Sequence, residues 1–214
     1  MMRRKQIIFV IIMGWILSGT LPLGSNHIAS AQQEELDTAY DYLVLATTKT
    51  STMQEEIQAA AEQGYAFAGV MGGSTMFGGN EVVVLMQRSE DRLSTFDYQL
   101  LATSKTSTMQ QEMQVAGDAG YVYKGQTVFE SVFGGSEAVV ILERNRDAPN
   151  PNLFEYRLLA TKKTSTMQEE LRDAGASGFV FVGVTVNETR FGGDEIVTIL
   201  KRARGPLIVE EIQD

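Results

Sequence analysis

Cysteine is absent from the 214-residue sequence, histidine and tryptophan occur once each, and there are only four prolines. Without cysteine the chain has no disulfide, no thiolate nucleophile and no cysteine-rich zinc site. We also find no calcium-loop, Walker-type or dinucleotide-binding pattern. The chemistry left for catalysis is that of carboxylates, lysines, tyrosines and hydroxyls. We therefore expect no cofactor, no metal and no enzymatic activity, with a carboxylate- or lysine-dependent hydrolase or isomerase as the open alternative.

The N-terminus resembles an export signal. Arg3, Arg4 and Lys5 precede the apolar run Ile7–Leu17, and small residues at 29–31 supply a cleavage site. This order of basic, apolar and small residues is typical of a signal peptide. We predict a signal over residues 1–31, cleaved near Ala31, and an exported protein in the periplasm or outside the cell. An uncleaved membrane anchor over residues 7–24 is the alternative.

Cleavage at this site would change both the catalytic inventory and the charge. It removes His27 and Trp15, so no imidazole remains for a catalytic triad or for metal ligation. It leaves 15 Lys and Arg against 27 Asp and Glu, a net charge of −12. Such a surface repels phosphate-rich partners. We therefore expect no nucleic-acid partner and, after cleavage, no membrane partner.

A threefold internal repeat dominates the rest of the chain. The segments LATTKTSTMQEE, LATSKTSTMQQE and LATKKTSTMQEE begin at Leu45, Leu101 and Leu159, at offsets of 56 and 58 residues. In each copy an FGG triplet follows at a constant distance, and a glutamate comes two positions after it. Repetition at a fixed period indicates one supersecondary unit used three times.

Each unit reads as strand, helix, strand, strand. A short run rich in tyrosine and leucine precedes the KTSTMQ segment, and Ser51 with Gln54, or equally Thr52 with Glu55, has the spacing of a capping box. Gly64 and its equivalents predict the helix end. One apolar face recurs along the three predicted helices: Met53, Ile57, Ala60; Met109, Met113, Ala116; Met167, Leu171, Ala174.

The third strand of each unit is apolar at consecutive positions, as in Val82–Met86, which indicates a central strand with two apolar faces. We therefore predict an α+β fold of three tandem βαββ repeats, at residues 40–88, 96–144 and 154–202, followed by a tail at 203–214. The FGG triplets are predicted to form the hairpin turns. Units of about 50 residues are marginal alone, so we expect them to pack into one body, as a ring or as a row.

The units resemble a family of short bacterial domains of unknown function. The resemblance is carried by Tyr40–Val44, by Gly178–Val184 and by the closing Ile199–Arg202, where the family reads EYKV, GWELV and FKR. This chain has tyrosine or phenylalanine where the family has tryptophan, and KTSTMQ and FGG are not among the family's features. The resemblance implies a small α+β fold in three tandem copies and no catalytic residue.

The KTSTMQ and FGG motifs are predicted to meet at one end of each unit, which we call the motif pole. It offers a lysine, hydroxyls, helix N-terminal amides and a glutamate, a combination suited to an anion or to a partner. The architectural interpretation is that these residues serve as caps, a turn and a surface ion pair. The candidate contact residues are Lys49, Ser51, Thr52, Glu81, Lys105, Ser107, Thr108, Glu137, Lys163, Ser165, Thr166 and Glu195.

From the sequence we therefore expect an exported, non-enzymatic repeat protein that serves as an interaction or structural module of the bacterial envelope or exterior. Its partner is an unknown protein. The alternative is a binding protein for a small anionic ligand, held by the helix N-termini and the lysines of the KTSTMQ motifs.

Overall fold

The computed structural model describes residues 39–75, 79–89, 95–130, 136–148, 152–188 and 194–206. All of these residues belong to one compact part of the chain, Thr38–Asp214, which contains the three repeat units. The predicted export signal, the FGG triplets apart from Gly79, and the tail after Pro206 lie outside the described residues.

The described elements repeat in the order strand, helix, strand, strand. Their bounds are β1 Tyr40–Thr47, α1 Thr50–Glu62, β2 Ala66–Thr75, β3 Gly79–Ser89, β4 Phe96–Thr103, α2 Thr106–Asp118, β5 Val122–Glu130, β6 Ser136–Asn145, β7 Asn152–Thr161, α3 Thr164–Ala176, β8 Val180–Glu188 and β9 Asp194–Pro206. The mixed α+β class is confirmed. The last strand runs four residues past Arg202, where the sequence places the end of the third unit.

Each unit forms one three-stranded sheet whose third strand is central. The strand orders are β1-β3-β2, β4-β6-β5 and β7-β9-β8, and every pairing is antiparallel. The central position follows from the two apolar faces of these strands, as in β6, where Ala138–Leu142 are all buried. The edge strands therefore run parallel to each other on either side of it.

The predicted glycine ends of the helices are confirmed. Gly64, Gly120 and Gly178 adopt φ of 85°, 83° and 83°, the left-handed region that suits glycine. In the first unit, Gly64 N–H donates to the Ala61 carbonyl and Tyr65 N–H donates to the Ala60 carbonyl, at 2.9 and 3.1 Å. This pair of bonds defines a Schellman motif.

The predicted capping boxes at the helix starts are wrong. The N-cap residue is Lys49, in extended backbone, and its side chain makes no capping bond. Because the helix already begins at Thr50, Ser51 and Thr52 fall within its first turn and cannot cap it. The hydroxyl that organises this turn lies earlier: Thr47 Oγ1 accepts Lys49 N–H at 3.2 Å. Lys105 and Lys163 occupy the same cap position in α2 and α3.

The sheets and helices alternate in a stack. Helix α1 packs on its own sheet and also on the second sheet, since Val139 and Ile141 of β6 join its apolar core. Helix α2 is covered in the same way by Ile199 of β9. In the described part of the chain, extensive contacts between elements join neighbouring units only, so the units form a row.

The third helix departs from the predicted apolar face, because among the described residues no further sheet covers it. Of its expected core residues only Ala174 is buried, whereas Met167 and Leu171 stay partly exposed. The corresponding positions in α1 and α2 are fully enclosed between two sheets. As far as the described residues go, the row therefore ends at one side with the uncovered helix α3. Because α1 lies between the first two sheets, the outer face of the first sheet is uncovered at the other side.

Candidate functional site

Glutamine side chains of α1 and α2 bind the edge strand of the next unit. Gln54 Nε2 donates to the Tyr98 carbonyl at 2.9 Å, and Gln54 Oε1 accepts Leu100 N–H at 2.6 Å. One turn later, Gln58 Oε1 accepts Tyr98 N–H at 3.1 Å. An edge strand presents unpaired backbone groups, and here primary amides occupy them as a neighbouring strand would. Helix α1 therefore closes the edge of β4.

Helix α2 closes the edge of β7 with the same bonds. Gln110 binds the Tyr156 carbonyl at 2.8 Å and Leu158 N–H at 2.7 Å, and Gln114 Oε1 accepts Tyr156 N–H at 3.1 Å. The repetition of distances shows that the two contacts between units are built alike. The glutamines of the first two KTSTMQ motifs thus connect consecutive units, and we call each such contact a joint.

A buried tyrosine hydroxyl completes each joint. Phe67 N–H donates to Tyr98 Oη at 2.8 Å, and Tyr98 Oη–H donates to Glu143 Oε2 at 2.6 Å. Tyr156 Oη accepts Tyr123 N–H at 2.7 Å in the second joint. The amide donors lie in β2 and β5, at β-bulges where pairing with the central strand shifts by one residue. Each tyrosine therefore satisfies an amide that the ladder leaves free.

Burial shifts the acidity of these hydroxyls. Burial first, and then the hydrogen bond to the Glu143 carboxylate, raises the pKa of Tyr98 far above its usual value. Burial raises the pKa of Tyr123 to about 12, and it raises that of Tyr156 as well. All three are neutral across the physiological range.

The first sheet exposes the residues that the other sheets bury in the joints. Tyr42, the counterpart of Tyr98 and Tyr156, has 58% of its surface exposed, against 4% and 2% for these two. Strand register places its neighbours Val44 and Leu85 opposite each other on the same face. We call this uncovered face the head surface, and its large exposed side chains are Tyr40, Tyr42, Val44, Met71 and Leu85.

The opposite end of the row exposes the other half of a joint. Phe181, the counterpart of Phe67, is 59% exposed against 8%. Gln168, the counterpart of the joint glutamines, is also exposed. A Cβ added at Gly175 would meet nothing, whereas one at the equivalent Gly117 would run into Phe154 of the third unit. We call this end the tail surface: Gln168, Arg172, Gly175, Phe181 and Val184.

At the end of each unit opposite to the helix start, an acidic residue, an arginine and an aromatic ring form a cluster. Arg88 binds Asp41 at 2.8 Å and the Gln63 carbonyl at 3.0 Å, and its guanidinium lies 4.5 Å from the Tyr65 ring centre. The hydrogen bond from Tyr65, together with Arg88, lowers the pKa of Asp41. Corresponding clusters join Arg144, Asp97 and Tyr121, and Arg202, Glu155 and Phe179. In each unit the arginine, which lies in the third strand, connects that strand to the first strand and to the end of the helix.

The helix start and the pole glutamate lie at the same end of each unit. The FGG part of the motif pole, apart from Gly79, lies outside the described residues. Strand β1 ends at Thr47 opposite Val82, so Glu81 lies level with the helix start. The lysines at 49, 105 and 163 and the serines at 51, 107 and 165 are exposed, and the threonines at 52, 108 and 166 are partly buried. Among the described residues, the ion pairs do not include one between a pole lysine and a pole glutamate. Glu195 instead accepts the Thr106 hydroxyl of the preceding unit at 3.2 Å.

Sequence reasoning missed the head and tail surfaces. The signal was present in the alternation of Tyr40, Tyr42 and Val44 along β1, which matches Phe96, Tyr98 and Leu100 of β4 position by position. These surfaces were missed because the sequence does not show which neighbour each unit packs against. The structure answers this for units two and three, whose joints cover them.

Comparisons with protein-family models, with curated proteins and with solved structures give no match for this chain. The resemblance to a short bacterial domain family therefore stays an expectation. None of the helices that the structure describes has the length and apolar character needed to cross a membrane. In the same residues, no group of three or more Asp, Glu, His or Cys side chains is placed to hold a metal ion.

We expect Gln54→Ala to lower the free energy of unfolding by about 1–3 kcal/mol, because it leaves Leu100 N–H and the Tyr98 carbonyl without partners in the joint. Gln168→Ala is the matched control, since that glutamine lies in the same motif but on the exposed tail surface. Its effect should stay within about 0.5 kcal/mol. Urea unfolding of dilute protein measures both, and equal losses for the two variants would contradict the joint.

We expect stability to fall at alkaline pH through the buried tyrosines. The folded-state pKa of Tyr98 is raised, so its contribution is complete below the unfolded value of about 10 and is lost as pH rises above it. Tyr98→Phe should therefore lose less stability than wild type between about pH 9 and about pH 11. Tyr42→Phe, on the head surface, should follow the wild-type curve. Parallel curves for all three proteins would show that Tyr98 is not linked to folding.

Proposed function

We propose that the protein is an exported, non-enzymatic interaction or structural module of the bacterial envelope or exterior, and that the head surface is its contact face. The observation that carries the proposal is the match between positions: the head surface exposes Tyr42 and Val44, while their counterparts Tyr98 and Leu100 pack against a neighbouring unit. A face of this composition is suited to burial against protein.

The chemistry of the head surface supports a protein partner. Two tyrosines, a valine, a methionine and a leucine form its exposed part, and tyrosine and methionine are enriched in protein interfaces. Among the described residues no strand pairs with the outer edge of β1. The backbone groups of that edge favour a partner that supplies hydrogen-bonding side chains or a strand. The acidic balance of the chain, 27 Asp and Glu against 18 Lys and Arg, opposes nucleic acid.

Site-specific photo-crosslinking in the source bacterium tests this proposal. A benzophenone side chain replaces Tyr42 on the head surface, and in a control variant it replaces Val115, which is exposed on α2. We expect a discrete protein adduct at position 42 and none at 115, because only the first position lies in the proposed contact. Mass spectrometry of the adduct identifies the partner.

Absence of an adduct at position 42, in protein that is exported and folded, would refute the head surface as a contact face. Retention of the protein in the cytoplasm would refute the export part of the proposal separately. Equal labelling at both positions would indicate unspecific encounter and would count against the proposal as well.

A second candidate function is the binding of a small anion at the motif pole. One observation favours it: all three helices begin at a lysine whose side chain makes no capping bond, so no N-cap side chain occupies the first amides. Helix N-terminal amides and a lysine attract negative charge. The candidate ligands are phosphate, sulfate, carboxylates and acidic sugars.

Thermal unfolding with these anions tests the second candidate. A ligand that binds the folded state raises the melting temperature with its concentration. We expect a rise for the wild type that is lost in the Lys49→Ala, Lys105→Ala, Lys163→Ala triple variant, if the pole holds the anion. A rise of equal size in both proteins would reflect a general salt effect, and no rise at about millimolar ligand would exclude the candidate.

A further inference from the structure

The two joints inside the chain define what a complete interface between units contains. The upstream unit supplies a helix glutamine, one free backbone N–H at the bulge of its second strand, and apolar side chains of that strand. The downstream unit supplies the outer face and free edge of its first strand, including the tyrosine that reaches the bulge. The same pieces meet again between units two and three.

Both halves of this interface remain uncovered at the ends of the row. The head surface carries the downstream half, with Tyr42 in the place of Tyr98 and Val44 in that of Leu100. The tail surface carries the upstream half, with Gln168 in the place of Gln54 and Phe181 in that of Phe67. A cover for one end is thus present at the other end of the same molecule.

We infer that a second copy of this chain occupies the head surface, docking through its own tail surface in the geometry of the internal joints. The inference rests on the proposed function, because it names the partner of the same contact face. In this joint the Gln168 amide of one copy binds the Tyr42 carbonyl and Val44 N–H of the next. The Tyr42 hydroxyl accepts Phe181 N–H, and Val184 packs on the head surface.

The symmetry of such a contact decides the form of the assembly. Head and tail are different surfaces, so the interface is heterologous, and each added copy leaves a new head and a new tail free. The product is an open row that continues the internal stack from chain to chain. Its period is three units, since each chain contributes three.

One residue makes the joint between chains weaker than the joints within a chain. Gln58 and Gln114 each accept an N–H of the following edge strand, whereas Arg172 stands at this position in α3. Arginine has no acceptor, so Tyr42 N–H gains no bond from it. The intermolecular joint also lacks the tether that raises the effective concentration of units within one chain. Association is therefore reversible and depends on concentration.

Sedimentation velocity of the full chain, purified as the cell processes it, tests the inference with two variants. Val44→Asp places a charge on the head surface, and Val184→Asp places one on the tail surface; both positions are exposed, so the unit keeps its fold. We expect the wild type to form a series of species that lengthens between about micromolar and about millimolar concentration. Each variant alone should remain a monomer.

The mixture of the two variants is the decisive sample. The intact tail of Val44→Asp can bind the intact head of Val184→Asp, so the mixture should stop at a dimer. Formation of that dimer also shows that both variants are folded. A wild-type dimer that survives in Val184→Asp alone would mean head-to-head pairing and would overturn the inference.

The remaining outcomes separate this inference from the function on which it rests. A wild type that stays monomeric while Tyr42 crosslinks to a different protein in cells would overturn self-association and leave the interaction module standing. A monomer whose position 42 crosslinks within its own chain would show that a segment outside the described residues covers the head surface. That result would refute both self-association and the head surface as a contact face. A monomer without any adduct would overturn both as well.

Discussion

The central strand of each sheet is apolar on both faces, and the helix of its own unit covers only one of them. In β6, Val140 and Leu142 face the core of α2, and Val139 and Ile141 face the core of α1. Burial of apolar surface at about 25 cal/mol per Å² is the main term that favours folding. A lone unit would leave half of its central strand in water. The stacking of units follows from this constraint, because α1 and α2 each cover a second sheet in addition to their own.

Stacking a helix on a sheet buries the apolar face of the sheet, but it also removes water from polar backbone groups. The edge strand beneath the helix has backbone groups that lose water without gaining a partner strand. The glutamines at positions 54 and 110 answer this, since a primary amide has the donor and the acceptor of a peptide group. Their length brings the amide from the helix to the strand edge. The same helix thus covers the apolar face of the sheet, through Met53, and pairs with the backbone of the edge strand, through Gln54.

The repeat, the strand order and the glycine ends of the helices could be predicted from the sequence, because each depends on local pattern or on the apolar run of one strand. The helix starts could not, because Thr47, Thr50, Ser51 and Thr52 are all chemically able to cap, and the turn geometry chooses among them. The joints could not either. Gln54 looks like an ordinary polar helix residue until the position of β4 is known, and nothing local specifies it.

The head surface could not be predicted from the sequence either, because equivalent residues of the three units have the same local pattern. Tyr42, Tyr98 and Tyr156 occupy identical places in their units, and sequence pattern gives all three the same meaning. Their environments differ because, among the described residues, Tyr98 and Tyr156 meet the helix of the preceding unit and Tyr42 meets none. Solenoid proteins commonly end in repeats with polar outer faces that keep the array soluble. In this chain the tail differs at Arg172, which stands where α1 and α2 have a joint glutamine, but Phe181 and Val184 stay exposed there, and the head keeps the apolar residues of an internal face. The head and the tail are different surfaces, so the array is asymmetric in its contacts, which is the condition for directional rather than paired association.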